Sequence, residues 1–226
     1  MPLDLCVPCA GGTQHLYPAV LFGEQELVLV DCGYPGGLPL LEEALEARNL
    51  RMEEVTTLVL THQDDDHIGG AAELKAKYPR VQVLASLVEA PYLSGERKNL
   101  RLRQAEDLQK CLPEGQKEFG RQFCRRLRMV KPVFPDGLLC PGETFDWGGG
   151  CEILSTPGHT PGHISIRALD NTFMITGDAA VVENGELALA NPGFCLDLAE
   201  AERSLEHLKK YHCGRYICYH GGTLCL

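Results

Sequence analysis

Thr61-His62-Gln63-Asp64-Asp65-Asp66-His67-Ile68-Gly69-Gly70 is the stretch that decides the fold. The residues before it, Val55 to Leu60, are apolar and β-branched. Those after it, Ala71 to Tyr78, have helical composition. The run therefore lies where a buried strand gives way to a helix. Two imidazoles and three carboxylates crowd into the positions from His62 to His67. Burying such groups without a partner costs roughly several kcal/mol each, so a cation is the natural partner. Imidazole mixed with carboxylate suits zinc, iron or manganese better than calcium or magnesium.

A chain of 226 residues, 44% of them hydrophobic, is long enough to build a full core and is expected to form one domain, 1–226. No apolar run approaches the roughly 18 residues that span a bilayer, so no membrane partner is expected. Met1-Pro2-Leu3-Asp4 lacks the basic start and apolar core of a signal peptide, which points to a cytoplasmic protein. Eleven cysteines are then expected as free thiols. Cys6-Val7-Pro8-Cys9 is the one C-x-x-C, and no second pair at zinc-ribbon spacing accompanies it.

The net charge of −10 argues against a nucleic-acid partner. The charge is unevenly spread. Arg97 to Lys131 holds eleven Lys/Arg against four Asp/Glu, or +7, which leaves −17 for the remainder.

The opening third reads as strands at Tyr17–Phe22 and Glu26–Val30 joined by a turn, the second ending in Asp31-Cys32-Gly33. A helix is expected over Leu38–Asn49 and a short strand over Val81–Leu84. Strand-like runs then vanish, and the segment of about 91–132 reads as a helical insertion split in two at Pro113-Glu114-Gly115. It could be a solvated arm, a lid over the site or a homodimer contact. Strand patterning returns at Cys151–Ser155, Ile164–Ala168, Thr172–Thr176 and Tyr216–Tyr219. Between the last two lies a helix over Asp197–Tyr211 with Asp197 as its N-cap. Four strand ends carry an Asp or His beside glycine, and such an edge is where sites assemble in layered α/β folds.

His62, Asp64, Asp66, His67, His159, Asp178 and His220 collect on those ends. Together with Thr156-Pro157-Gly158-His159-Thr160-Pro161-Gly162-His163, Gly177-Asp178 and the Asp31-Cys32-Gly33 turn, they resemble the metallo-β-lactamase-fold hydrolase superfamily, with motifs like those of glyoxalase II. The resemblance implies an α/β fold, a four-layer αββα sandwich of two mixed β-sheets with outer helices. It also implies two divalent metal ions, zinc being the superfamily's usual choice. Carried over by position, His62, Asp64 and His159 would hold one ion. Asp66, His67 and His220 would hold the other, and Asp178 would bridge them. The resemblance leaves His163 off the ligand set, puts Asp31 behind the ligands, and leaves Gln63 and Asp65 on a solvated face.

Asp64 stands where the commonest pattern has histidine. His62-x-Asp64-x-Asp66-His67 is similar to the H-x-E-x-D-H of flavodiiron proteins. The extra carboxylate should weaken Lewis acidity and favour iron or manganese. The expected activity is that of a dinuclear metal-dependent hydrolase. A bridging hydroxide would attack a thioester, lactone, ester or phosphoester of a small substrate, and Asp66 or Asp178 would accept a proton. If the +7 segment covers the site, the substrate should be anionic, with Arg97, Lys98 and Arg101 drawing it in. The alternative is a diiron oxygen or nitric-oxide reductase-type domain fed by an external electron donor.

Overall fold

Alternation along short apolar strands builds this molecule, and the computed structural model describes residues 1–9 and 12–226. A polar hairpin, β1 (Leu5–Cys9) with β2 (Gly12–Leu16), leads into β3 (Ala19–Phe22) and β4 (Leu27–Val30). Then come α1 (Leu38–Glu46), β5 (Thr57–Leu60), the single turn α2 (Asp65–Ile68), α3 (Ala71–Lys77) and β6 (Gln82–Ser86). The helical segment comprises α4 (Ala90–Leu93), α5 (Leu100–Cys111) and α6 (Lys117–Leu127), after which β7 (Gly137–Leu139) rejoins the sheet. The order β3-β4-β5-β6-β7 makes a mixed sheet, antiparallel only at β3/β4.

The second half begins with β8 (Thr144–Phe145), β9 (Cys151–Ser155), β10 (Ile164–Ala168) and β11 (Met174–Gly177). A small hairpin, β12 (Val181–Glu183) with β13 (Glu186–Ala188), precedes α7 (Leu198–Lys209), β14 (Arg215–Cys218) and β15 (Gly222–Cys225). The second sheet runs β15-β14-β11-β10-β9-β8, with only β11 and β14 parallel.

Successive strand residues face opposite ways. Val28, Val30, Val59, Ile153, Ile166, Ile175 and Ile217 accordingly form one core between the two sheets, closed by Trp147. Their neighbours Leu29, Leu58 and Leu60 face outward onto Leu41 and Leu45 of α1 and Leu74 of α3. Met174, Tyr216 and Cys218 pack the opposite outer face against Leu205 and Leu208 of α7. Helix, sheet, sheet, helix is the expected αββα sandwich. Among the described residues no helix is long and apolar enough to cross a membrane, and the cysteines are free thiols.

The elements expected from sequence are present, Cys151–Ser155 and Ile164–Ala168 with the expected ends and the others shifted by at most three residues. Five short pieces escaped the sequence reading: the β1–β2 and β12–β13 hairpins, β7, β8 and β15. Each is polar or only two to five residues long, so its alternation is weak. Asn184-Gly185, with φ of +53° and +80°, was the available signal for β12–β13.

Candidate metal centre

The site lies where strand ends of both sheets meet. Asp31 follows β4, and the run from His62 to His67 follows β5. On the other sheet, His159 follows β9, Asp178 follows β11 and His220 follows β14. All seven side chains proposed as ligands converge. His62, Asp64 and His159 bring ligand atoms within 4.8 Å of one another; so do Asp66, His67 and His220, and so do His62, His67 and Asp178. Asp178 joins the two groups: Oδ2 lies 3.4 Å from His159 Nε2, and Oδ1 lies 3.2 Å from His67 Nε2 and 3.5 Å from His220 Nε2.

The residues behind the ligands fix their tautomers. Thr61 Oγ1 donates to Asp31 Oδ2 at 2.8 Å, so it accepts at 3.0 Å from His62 Nδ1, which carries the proton. His67 Nδ1 donates to Asp31 Oδ2 at 2.8 Å. Both imidazoles thereby turn Nε2 inward, the atom through which each would bind an ion. Asp31 reaches both partners from a left-handed backbone, φ +63°, a conformation that costs a non-glycine residue about 1 kcal/mol. His163 supports the site from behind. Its Nε2 accepts from the Asp178 amide at 2.9 Å, and its Nδ1 lies 2.8 Å from Thr156 Oγ1. It keeps out of the ligand groups, as expected. Gly177, at φ +52°, permits that approach, because a Cβ there would sit 2.6 Å from His163 Nε2.

His62 Nε2, His67 Nε2, Asp64 Oδ1 and Asp178 Oδ1 are buried without a hydrogen-bond partner. Orphaned polar atoms converging from both sheets are what a cation site requires, so the residues fit the implied ions. The field inside agrees. Burial opposes charging His67, but Asp178, Asp31 and Asp66 hold its pKa well above the ordinary range. Burial likewise opposes charging His159, but Asp64, Cys195 and Asp178 raise it to about 9.

Gln63 and Asp65 correct the sequence expectation, for neither is solvated. Gln63 is fully buried. Its Nε2 donates to Glu89 Oε2 at 2.9 Å, and its backbone carbonyl accepts from Asn99 Nδ2 at 2.8 Å. Glu89 in turn accepts from the Gly162 amide at 2.8 Å, so Gln63 ties the acidic turn to α5 and to the His159–His163 loop. Asp65 is 4% exposed, and its carboxylate accepts from Arg126 Nε at 2.7 Å. Burial and the neighbouring Asp66 push Asp65 up to about 7 against the pull of Arg126.

The helical segment forms part of the site wall. Arg101 of α5 and Phe123 and Arg126 of α6 border a cleft of about 260 Å³ with Tyr34, Asn191 and Phe194. Arg101 was named from sequence only as a charge on a lid, yet it is 2% exposed and bound to Asp64. Arg97 and Lys98 do not border the cleft; Lys98 is paired with Glu106, and Arg97 stacks over Tyr92 at 6.0 Å.

The family model described as "Metallo-beta-lactamase superfamily" matches residues 16–220, and the chain belongs to that superfamily. It is 27% identical over 170 residues to the probable metallo-hydrolase YflN of Bacillus subtilis, covering 71% of this chain and 58% of that protein. With the hydroxyacylglutathione hydrolase GloC of Haemophilus influenzae it shares 29% identity over 157 residues, 69% of this chain and 61% of the relative. The chain spans from about one third to about three fifths of the length of the curated relatives it matches. The structure of a metallo-beta-lactamase family protein from Thermus thermophilus superposes with a TM-score of 0.73. That match is 24% identical in sequence and covers all of this chain and 74% of the other.

Proposed function

We propose that this superfamily member is a metal-dependent hydrolase cleaving a thioester, lactone, ester or phosphoester of a small substrate, with His62, Asp64, His159, Asp66, His67, His220 and Asp178 holding two divalent ions. The observation that carries the proposal is the set of orphaned buried imidazole and carboxylate atoms lining both ligand groups. Likeness to hydroxyacylglutathione hydrolases supports thioesters as the first class to try. Ions bound here would polarise the substrate's carbonyl or phosphoryl oxygen and acidify the attacking water.

The protein's own groups supply the remaining steps. Asp31 and Thr61 keep His67 and His62 facing inward. Asp66 and Asp178, each within 3.5 Å of His220 Nε2, stand at the partly exposed end of the centre. From there either carboxylate can take the proton released when water adds. The cleft, at about 260 Å³, is smaller than the roughly 300–1,000 Å³ of sites that enclose a drug-sized ligand, which favours a small reacting group at the centre. Phe123, Phe194 and Tyr34 would grip the apolar part of the substrate.

Zinc is the superfamily's usual ion. The case for iron or manganese drew on the charge of Asp64, and that for the diiron reductase alternative on Asp64 together with the abundance of thiols. The pairing of Asp64 with Arg101 makes position 64 formally neutral, like the histidine of the commonest pattern. The test is metal content by elemental analysis after anaerobic purification, followed by a screen of thioesters, lactones and phosphodiesters. About two ions per chain are expected when metal is in excess, and at least one after purification, depleted in His62→Ala and His220→Ala together with hydrolysis. Protein that binds no divalent ion, or that hydrolyses equally well without one, would refute the proposal.

A further inference from the structure

The two ligand groups are not equivalent, because an arginine reaches into one of them. Arg101 Nε and Nη2 both donate to Asp64 Oδ2, at 3.0 and 2.8 Å. Nη2 also stands 3.2 Å from His159 Nε2. Those two atoms lie 3.0 Å apart and face His62, so the guanidinium touches the side chains that would bind the first ion. The arginine is held from its other side too, with Nη1 donating to Gln104 Oε1 at 2.5 Å and the guanidinium 5.2 Å from the Phe194 ring centroid. No lysine or arginine among the described residues forms an ion pair with the second group. Among the described residues, the ion-pair partners of Asp66 and Asp178 are histidines alone.

Resting on the dinuclear reading above, we infer that Arg101 ranks the two metal positions, so that the Asp66/His67/His220 position fills first and the His62/Asp64/His159 position fills second and more weakly. The physical reason is competition. An ion entering the first group must share the Asp64 carboxylate with a fixed positive charge, or displace it. The guanidinium cannot lose its charge, and in a water-poor pocket its repulsion of a nearby cation is only partly screened. Arg101 is thus a positioning and ranking residue, acting through Asp64.

Metal-stripped protein titrated with Zn²⁺ in a calorimeter, with retained ions counted after gel filtration, tests this directly. The native protein should show two separate steps and keep about one ion through gel filtration, while Arg101→Met should tighten the second step about tenfold or more. Gln104→Ala, which frees the guanidinium without altering a ligand, should give an intermediate shift and serves if Arg101→Met does not fold. His159→Ala should abolish the weak step and His220→Ala the tight one. Two equivalent ions in the native protein, an unchanged or weaker second step in the Arg101 and Gln104 variants, or the reverse assignment in the histidine variants would overturn the ranking while leaving the dinuclear centre intact. Binding of no ion at all would remove both.

Discussion

His163 shows how one buried side chain makes stability depend on pH. Burial, with His62 and His159 nearby, holds its pKa well below the ordinary 6.5. The native state therefore binds fewer protons there than the unfolded chain does. Its contribution is complete above about pH 6.5 and is lost as the pH falls below that value. In metal-loaded protein, the melting-temperature advantage of the native form over His163→Asn should shrink between about pH 7 and about pH 5; an advantage independent of pH would refute the account. At this scale the sequence announced chemistry well and support poorly. The seven ligand candidates stand at or just after strand ends, in motifs that resemble a known superfamily, and could be named before any fold was known. Arg101 could not be assigned to Asp64, because 37 residues separate them and only the docking of α5 joins them. Gln63 and Asp65 were misjudged for the same reason, since their partners Glu89, Asn99 and Arg126 belong to later elements.

Helix α7 carries a second dependence, between a cap and a ligand. Asp197 caps it by accepting from the Glu200 amide at 2.9 Å, and Ser204 Oγ donates to the Pro157 carbonyl at 2.6 Å. Gly158 lies directly on this helix. At φ +126°, an added Cβ would fall 2.1 Å from Ala201 N. Asp197→Ala should cost about 1 kcal/mol, a melting-temperature loss of about 2–4 °C, with metal content unchanged. Gly158→Ala should cost more and also deplete the bound ion by shifting His159. Equal metal retention in both variants would show that α7 does not position the histidine. The cap and apolar stripe of α7 were legible because they are local. The insertion's helices were legible as helices, but their docking was not, since α5 and α6 meet each other through a small core of Ala105, Cys124 and Leu127.

Across the whole molecule, seven of the eleven basic side chains from Arg97 to Lys131 are engaged in ion pairs. Lys98, Lys110, Lys117, Arg121 and Arg128 pair with acids of their own segment. Arg101 and Arg126 pair with the acidic turn. Any preference for anionic substrates would then rest on Arg126, the one of those two whose side chain is about half exposed. Arg126→Gln should raise KM severalfold for a negatively charged thioester and leave a neutral one unchanged; the same change for both would show that the residue shapes the cleft without attracting charge. The pairing also bears on how the chain is made. His62 and His220 stand 158 positions apart. At roughly 5–20 residues per second, the ribosome leaves the acidic turn without its last partner for about 10 to 30 s. Arg101 and Arg126 emerge early in that interval, so the nascent turn already has counter-charges before the second sheet exists to close over it.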